Sequence, residues 1–159
     1  MSKQTHYTGR AGQLAVMAEF LIRGYNVAIP EVDIGDDIFV VSDNTGEYSR
    51  VQVKTTLAKS TKKGYSCRYM IKLSQLERRT FPPSWYVFAN RYMDDWSSFL
   101  VISRANLYEL YDNFEMGSLT KSGFVSLYIS YQEQAVICSG VDMSEFVDNW
   151  ERWPFIKHS

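Results

Sequence analysis

DIGDDIFVVSDNTGEYSRVQVKTT, residues 33–56, is the stretch whose reading decides the fold. Ile38-Phe39-Val40-Val41 and residues 48–55 are β-branched and aromatic runs, and Asp43-Asn44-Thr45-Gly46 between them is turn chemistry, so the stretch is expected to form a β-hairpin. A turn centred between Asn44 and Thr45 sets Asp37 directly across from Gln52, and directly opposed residues share a face. Side chains alternate along a strand, so Gln52 and Lys54 project to one side and Val51 and Val53 to the other. An acid, an amide and an amine then converge on one patch. Asp36 is expected to point away, which makes Asp37 the acidic member unless a bulge shifts the pairing by one.

Apolar strands have no folding reason to gather Asp, Gln and Lys on one face, because each costs free energy to desolvate there. The patch is therefore a candidate site. The alternative is a solvated hairpin face carrying ordinary polar residues.

Upstream, Thr8-Gly9 is a plausible helix start, and residues 11–23 follow as an amphipathic helix ending at Gly24. Its stripe is Gln13, Val16, Met17, Phe20 and Leu21. Glu19 lies well round the helix from Gln13 and four residues before Arg23, the spacing of a surface ion pair. Residues 25–29 read as a strand closed by Pro30, and residues 31–36 as an acidic connection into the hairpin.

The net charge of −1 conceals an asymmetry. Residues 1–49 hold three Lys/Arg against seven Asp/Glu, residues 50–79 hold nine against Glu77 alone, and residues 80–159 hold five against ten. A basic segment directly after an acidic turn suits a phosphodiester substrate: cations to hold the backbone, a carboxylate to hold a metal. Arg50, Lys59, Lys62, Lys63 and Arg68 are the candidate nucleic-acid contacts. Taken alone, residues 59–64 would read as a solvated lysine-rich loop.

At 159 residues, 45% hydrophobic and 22% charged, the chain suits a single globular domain with a sizeable core. No apolar run reaches the roughly 18 residues that cross a bilayer, and the first ten residues lack the apolar centre of a signal peptide, so an intracellular protein is expected. Cys67 and Cys138 stand far apart, with only His6 and His158 as imidazoles, which argues against a zinc site and for free buried thiols.

In the second half, residues 65–73 read as a strand and residues 74–79 as a short helix, with a break at Phe81-Pro82-Pro83-Ser84. Residues 85–90 and 99–102 read as buried strands with a turn at Asp94-Asp95, and Ser103 can cap a helix over 104–113. Residues 124–130 and 134–138 read as a second hairpin. Asp142 with Glu145 resembles a capping box for a last helix containing Phe146, Val147 and Trp150. Trp85, Tyr86 and Phe88 belong to core strands. Tyr65 and Tyr69, beside the basic loop, are nearer to a ligand, although core packing accounts for them as well.

The order of helix, strand ending near Pro, acidic residue opening a hairpin, and QxK on the next strand resembles the PD-(D/E)xK nuclease superfamily. The residues carrying the resemblance are Gly9-Arg10-Ala11-Gly12-Gln13, Leu21-Ile22-Arg23-Gly24-Tyr25, Pro30, Asp33, Gly35, Asp37 and Val51-Gln52-Val53-Lys54, within the first third of the chain. Holliday-junction resolvases, Mrr-type restriction nucleases and cyanobacterial intron homing endonucleases are similar, and several such proteins use Gln before xK. The resemblance implies an α/β, restriction-endonuclease-like core: a central mixed β-sheet flanked by helices. The motifs would occupy residues 8–80, with residues 81–159 completing the sheet and adding a C-terminal helix.

It further implies a metal-dependent DNA endonuclease in the cytoplasm of a bacterium, acting as a homodimer on DNA with Mg²⁺ and with Mn²⁺ able to substitute. Asp37, Gln52, Lys54 and Gln13 would be the catalytic positions. The metal ligands would be Asp37, Gln52 and the Val53 carbonyl, with Glu19, Asp33 and Asp36 as auxiliaries. Many relatives carry Glu in the first helix, in a GxxGE or GxxAE pattern, where this chain has Gln13. Gln13 and Gln52 together lower the site's negative charge, which keeps open a second reading, a silent nuclease fold that binds nucleic acid or a protein partner. A third is a structural polar face in which Lys54 pairs internally with Asp37.

Overall fold

A 20-residue helix, α1 (Lys3–Ile22), opens the chain. It begins earlier than residues 8–9 because Ser2 caps it, its hydroxyl accepting from the Thr5 amide at 3.3 Å, while Thr8 bonds back to the Gln4 carbonyl inside the helix. Gly24, at φ 84°, ends it in the left-handed region where glycine is unstrained. The buried face is Gly12, Val16 and Phe20, and Leu21 is exposed instead of joining it. Gly12 has a steric reason: a Cβ there would stand 2.0 Å from the Thr55 hydroxyl. This computed structural model describes residues 2–150.

Helix α1 covers one face of a six-stranded sheet. The strands are β1 (Asn26–Ala28), β2 (Ile38–Val41), β3 (Tyr48–Leu57), β6 (Ser84–Tyr92) and β7 (Asp95–Trp96) in that order, with β8 (Leu100–Ser103) also on β6. β3 and β6 run parallel and the other neighbours antiparallel, so the sheet is mixed. β2 and β3 form the expected hairpin in the expected register, with Ile38 opposite Val51 and Phe39 opposite Arg50. Val16 and Phe20 pack there on Ile38, Val40, Val51, Val87, Ala89 and Val101.

Residues 84–103 complete this sheet as expected, but the chain also builds a second one. β5 (Gly64–Lys72) leaves the first and joins the second, a wholly antiparallel sheet with β4 (Lys59–Thr61), β9 (Ser118–Leu119), β10 (Phe124–Gln132), β11 (Val136–Cys138) and β12 (Val141–Asp142). The two sheets, with α2 (Leu73–Glu77) and α3 (Arg104–Phe114), enclose the larger core, which contains Tyr69, Ile71, Tyr86, Phe88, Ile102, Leu107, Leu127 and Ile129. Ser103 caps α3 as expected, accepting from Asn106 N. Cys67 and Cys138 are free and buried.

The last helix expected from Asp142 and Glu145 is, within the described residues, one 3-10 turn over Ser144–Phe146. Asp142 lies in β12 and its carboxylate does accept from the Ser144 amide at 2.8 Å, but the turn it opens stops at Phe146. Any continuation beyond Trp150 lies outside the described residues. Among those residues, no helix is long and apolar enough to cross a membrane.

Candidate active site

Asp37 sits one residue ahead of β2, where the ladder still holds its backbone: its amide donates to the Val51 carbonyl at 2.8 Å. Its carboxylate accepts from the Val53 amide at 2.7 Å. Burial pushes the Asp37 carboxyl up; the Val53 hydrogen bond and the Lys54 charge pull against it, while Asp33 and Asp36 add to the rise.

Gln52 and Lys54 project from β3 on the face away from α1, since the alternating Val51 and Val53 pack into the α1 core. Gln52 is buried, and among the described residues no side-chain hydrogen bond engages its amide. Lys54 is half-buried. Burial lowers its ammonium, against the raising influence of Asp37 and Asp33, and Lys72 lowers it further. Two close ion pairs exist among the described residues, Glu19–Arg23 and Asp36–Arg50, and neither involves Lys54 or Asp37. The amine and the carboxylate feel each other without closing on each other. That geometry does not match an internal structural pair.

Gln13 arrives from α1. Its side-chain NH₂ donates to the Asp37 carbonyl at 2.6 Å and its oxygen accepts from Arg10 at 2.7 Å. It braces the backbone that carries Asp37. Asp33 turns its carboxylate onto the Gly35 amide at 3.0 Å and reaches the site through its charge.

Asp36 does not simply point away. It is buried, and one carboxylate oxygen accepts from Arg50 Nε at 3.0 Å and Nη2 at 2.5 Å. It precedes the strand, so strand alternation does not govern it. This pairing holds Arg50, expected among the nucleic-acid contacts, against the protein. Glu19 lies on the flank of α1, 2.5 Å from Arg23, in the surface pair its spacing suggested.

Lys59, Lys62, Lys63 and Arg68 are exposed, Lys62 and Lys63 in the β4–β5 turn. Lys59 and Arg68 border a groove of about 450 Å³ with Thr56, Leu57, Ser66, Cys67 and Tyr128. Thr56 extends the Gln52–Lys54 face, so the groove adjoins the site. Tyr69 is core, its hydroxyl on the Ala89 carbonyl, and Tyr65 is stacked between Tyr92 and Tyr131.

The structure adds residues that sequence reasoning passed over. Lys72, counted only as part of the basic segment, reaches Lys54 electrostatically. Arg78 donates to the Ile34 carbonyl at 3.0 Å, and Gln75 closes against Gly35, so α2 and its exit clamp the acidic loop. Tyr86, opposite Gln52 on β6, is pushed up to about 12 by burial, eased by Arg104 and Arg78 and reinforced by Asp36 and Asp37. The available signal was the Arg78-Arg79 pair within the basic run.

As a donor set, Asp37 and Gln52 supply one charged and one neutral oxygen. No cluster of three His, Cys, Asp or Glu side chains able to hold a metal exists among the described residues. Mg²⁺ keeps several waters and takes one or two carboxylates with substrate phosphate, so this sparse set fits it. Zn²⁺, which wants nitrogen and sulfur ligands in a closed tetrahedron, does not fit.

No family model and no curated protein matches the chain. Among solved structures, the chain is similar to a bacterial homing endonuclease, I-Ssp6803I, at 20% identity with a TM-score of 0.50, covering 82% of this chain and 78% of that one. The likeness is one of fold.

Proposed function

We propose that this chain is a metal-dependent DNA endonuclease of the PD-(D/E)xK type, in its QxK form, and that it works as a homodimer. The observation that carries the reading is the pair Asp37 and Lys54. A half-buried ammonium, lowered by burial and free of ion pairs, stands on one hairpin face with a carboxylate raised by burial. Opposed shifts in one cluster are characteristic of sites that handle charge.

Asp37, the Gln52 amide oxygen and the Val53 carbonyl would hold Mg²⁺, or Mn²⁺ in its place, with Asp33 as an auxiliary charge. The ion supplies Lewis acidity, drawing charge from a phosphate oxygen and acidifying water. Lys54 would orient the attacking water and take up negative charge developing on the phosphate. The water oxygen bonds to phosphorus while the bond to the leaving sugar oxygen breaks, and that oxygen departs with a proton. Gln13 keeps Asp37 in place through its carbonyl. Lys59, Lys62, Lys63, Arg68 and Lys72 would hold the phosphate backbone along the groove. Arg50 is assigned to Asp36 instead.

A second reading, a silent nuclease fold that binds nucleic acid, draws on Gln13: the helix position that could add a carboxylate holds an amide occupied with backbone and Arg10. Plasmid and labelled linear and branched DNA, incubated in Mg²⁺, Mn²⁺ or EDTA with native protein and a folded Lys54→Ala variant, decide between them. Metal-dependent cleavage that vanishes in Lys54→Ala is expected. DNA retarded on a gel but uncut in every metal would reject the enzyme and favour the silent fold.

A further inference from the structure

Helix α1 has two apolar faces. One is the core face, Gly12, Val16 and Phe20. The other is Tyr7, Ala11, Leu14, Ala18 and Leu21, all exposed, with Tyr7 61%, Leu14 50% and Leu21 53% accessible. At about 100° per residue the second stripe lies roughly 180° from the first. Its spacing alternates four and three residues, the seam of a helix that packs against another helix. A helix of a lone globular domain carries one apolar stripe, whereas apolar residues on both sides mark a helix covered on both sides.

We infer that this outer stripe of α1 is the contact between two copies of the chain, packed antiparallel about a two-fold axis passing near Leu14. The inference rests on the homodimer part of the proposed function and not on its chemistry.

Three observations select a second copy as the occupant. In side-chain size the stripe reads the same from either end, large, small, large, small, large, and its large members Tyr7, Leu14 and Leu21 stand evenly seven residues apart. A two-fold contact requires such self-complementarity, because each position must meet its own mirror in the partner. Leu14 then meets Leu14 of the partner subunit, Tyr7 comes against the partner's Leu21, and Ala11 falls within one residue of the partner's Ala18, where small side chains let the helices approach closely.

Charge agrees with the antiparallel sense. Lys3, His6 and Arg10 stand in the first half of α1, where residues 2–18 contain no Asp or Glu. The antiparallel arrangement sets that basic half against the partner helix's C-terminal end, the negative pole of its dipole. A parallel arrangement would set like charges together.

Shape agrees too. Beside the N-terminal half of the stripe lies an apolar groove of about 630 Å³, which Leu57, Arg91 and Trp96 form with Tyr7, Thr8, Ala11 and Leu14. Ile22, 79% exposed at the far end of α1, is the projecting side chain that the partner's groove would receive.

Sedimentation equilibrium of the native chain and of Leu14→Arg, with circular dichroism to confirm folding, tests the inference. Leu14 is on the surface, so its replacement leaves the core intact. A native dimer whose dissociation constant rises roughly a hundredfold or more in Leu14→Arg is expected, since two buried guanidinium groups would oppose each other on the axis. Cysteine substitutions then read the orientation, because Cys67 and Cys138 are buried and leave the assay clean. Under mild oxidation, Leu14→Cys should cross-link to itself, while Tyr7→Cys and Leu21→Cys should cross-link only when mixed.

A native chain that stays monomeric at all concentrations would overturn both the interface and the homodimer reading. A dimer that survives Leu14→Arg unchanged, or one in which Tyr7→Cys cross-links to itself, would overturn this interface and leave the homodimer standing on another surface. Neither outcome bears on cleavage, which the metal and Lys54→Ala experiment reads separately.

Discussion

Two acid–base couples sit side by side in one hairpin and meet opposite fates. Asp36 and Arg50 are closed: two guanidinium nitrogens share one carboxylate oxygen, with side-chain exposures of 3% and 16%. Asp37 and Lys54 are open: the carboxylate is turned to the Val53 amide and the amine makes no close ion pair. A buried charge is tolerated when its partner and its hydrogen bonds satisfy it. Left open, the second couple carries its burial cost as shifted titration, the acid raised and the base lowered. The closed couple is a structural clasp on the acidic loop, and the open one is available to a ligand.

The strongest way to break this contrast is kinetic. Single-turnover cleavage should fall by about a thousandfold or more in either Asp37→Asn or Lys54→Ala, with the double variant little worse, as expected of residues acting as a unit. Equal losses from Arg50→Met without loss of stability would place the chemistry in the wrong couple.

Stability should then show the reverse order. Arg50→Met strands a buried carboxylate and is expected to cost roughly 3–5 kcal/mol in urea unfolding. A cost below about 1 kcal/mol would mean that Asp36 finds another partner.

The open couple should respond to pH with a definite sign. The folded-state carboxyl of Asp37 lies above its ordinary 3.8, so ionising it opposes folding. Its favourable contribution is present below 3.8 and is lost as pH rises through the folded value. Asp37→Asn should therefore gain on the native protein as pH climbs through that window, by thermal melting. Lys54 mirrors this: its folded value lies below the ordinary 10.5, so the penalty it imposes at neutral pH disappears as pH rises toward 10.5. A gap between Asp37→Asn and native protein that stays constant with pH would argue that the carboxyl is unshifted.

The smallest effect belongs to the surface pair. Glu19→Ala should change stability by no more than about 0.5 kcal/mol and leave cleavage unaltered. A large loss of cleavage would return Glu19 to the site.

How far the residues reveal these features by themselves follows their range. The hairpin register is legible because its determinants are local: a four-residue turn and two β-branched runs leave one pairing that buries Ile38, Val40 and Val51 together. Asp36 is misjudged because strand periodicity stops before Ile38, and only the folded loop shows where its carboxylate goes. Leu21 looks like a member of the core stripe because it is apolar and follows Phe20. The actual phase is set by Gly12 against Thr55, a contact between distant segments. Asp142 and Glu145 match a capping pattern, and Asp142 does accept from the Ser144 amide, but within the described residues only a 3-10 turn follows.

The amino-acid sequence by itself determined the local events: the α1 termination at Gly24, the turn at residues 43–46, the Ser103 cap, the Glu19–Arg23 pair and the common face of Gln52 and Lys54 on β3. Each depends on residues within a turn, a few helical steps or one hairpin. Tertiary structure alone decided that β5 leaves the first sheet to pair with β10, that α2 clamps the acidic loop, and that Lys72 and Tyr86 come beside the site. Those arrangements join segments far apart in the chain, where pairing depends on which apolar surfaces can be buried together and not on any nearby pattern.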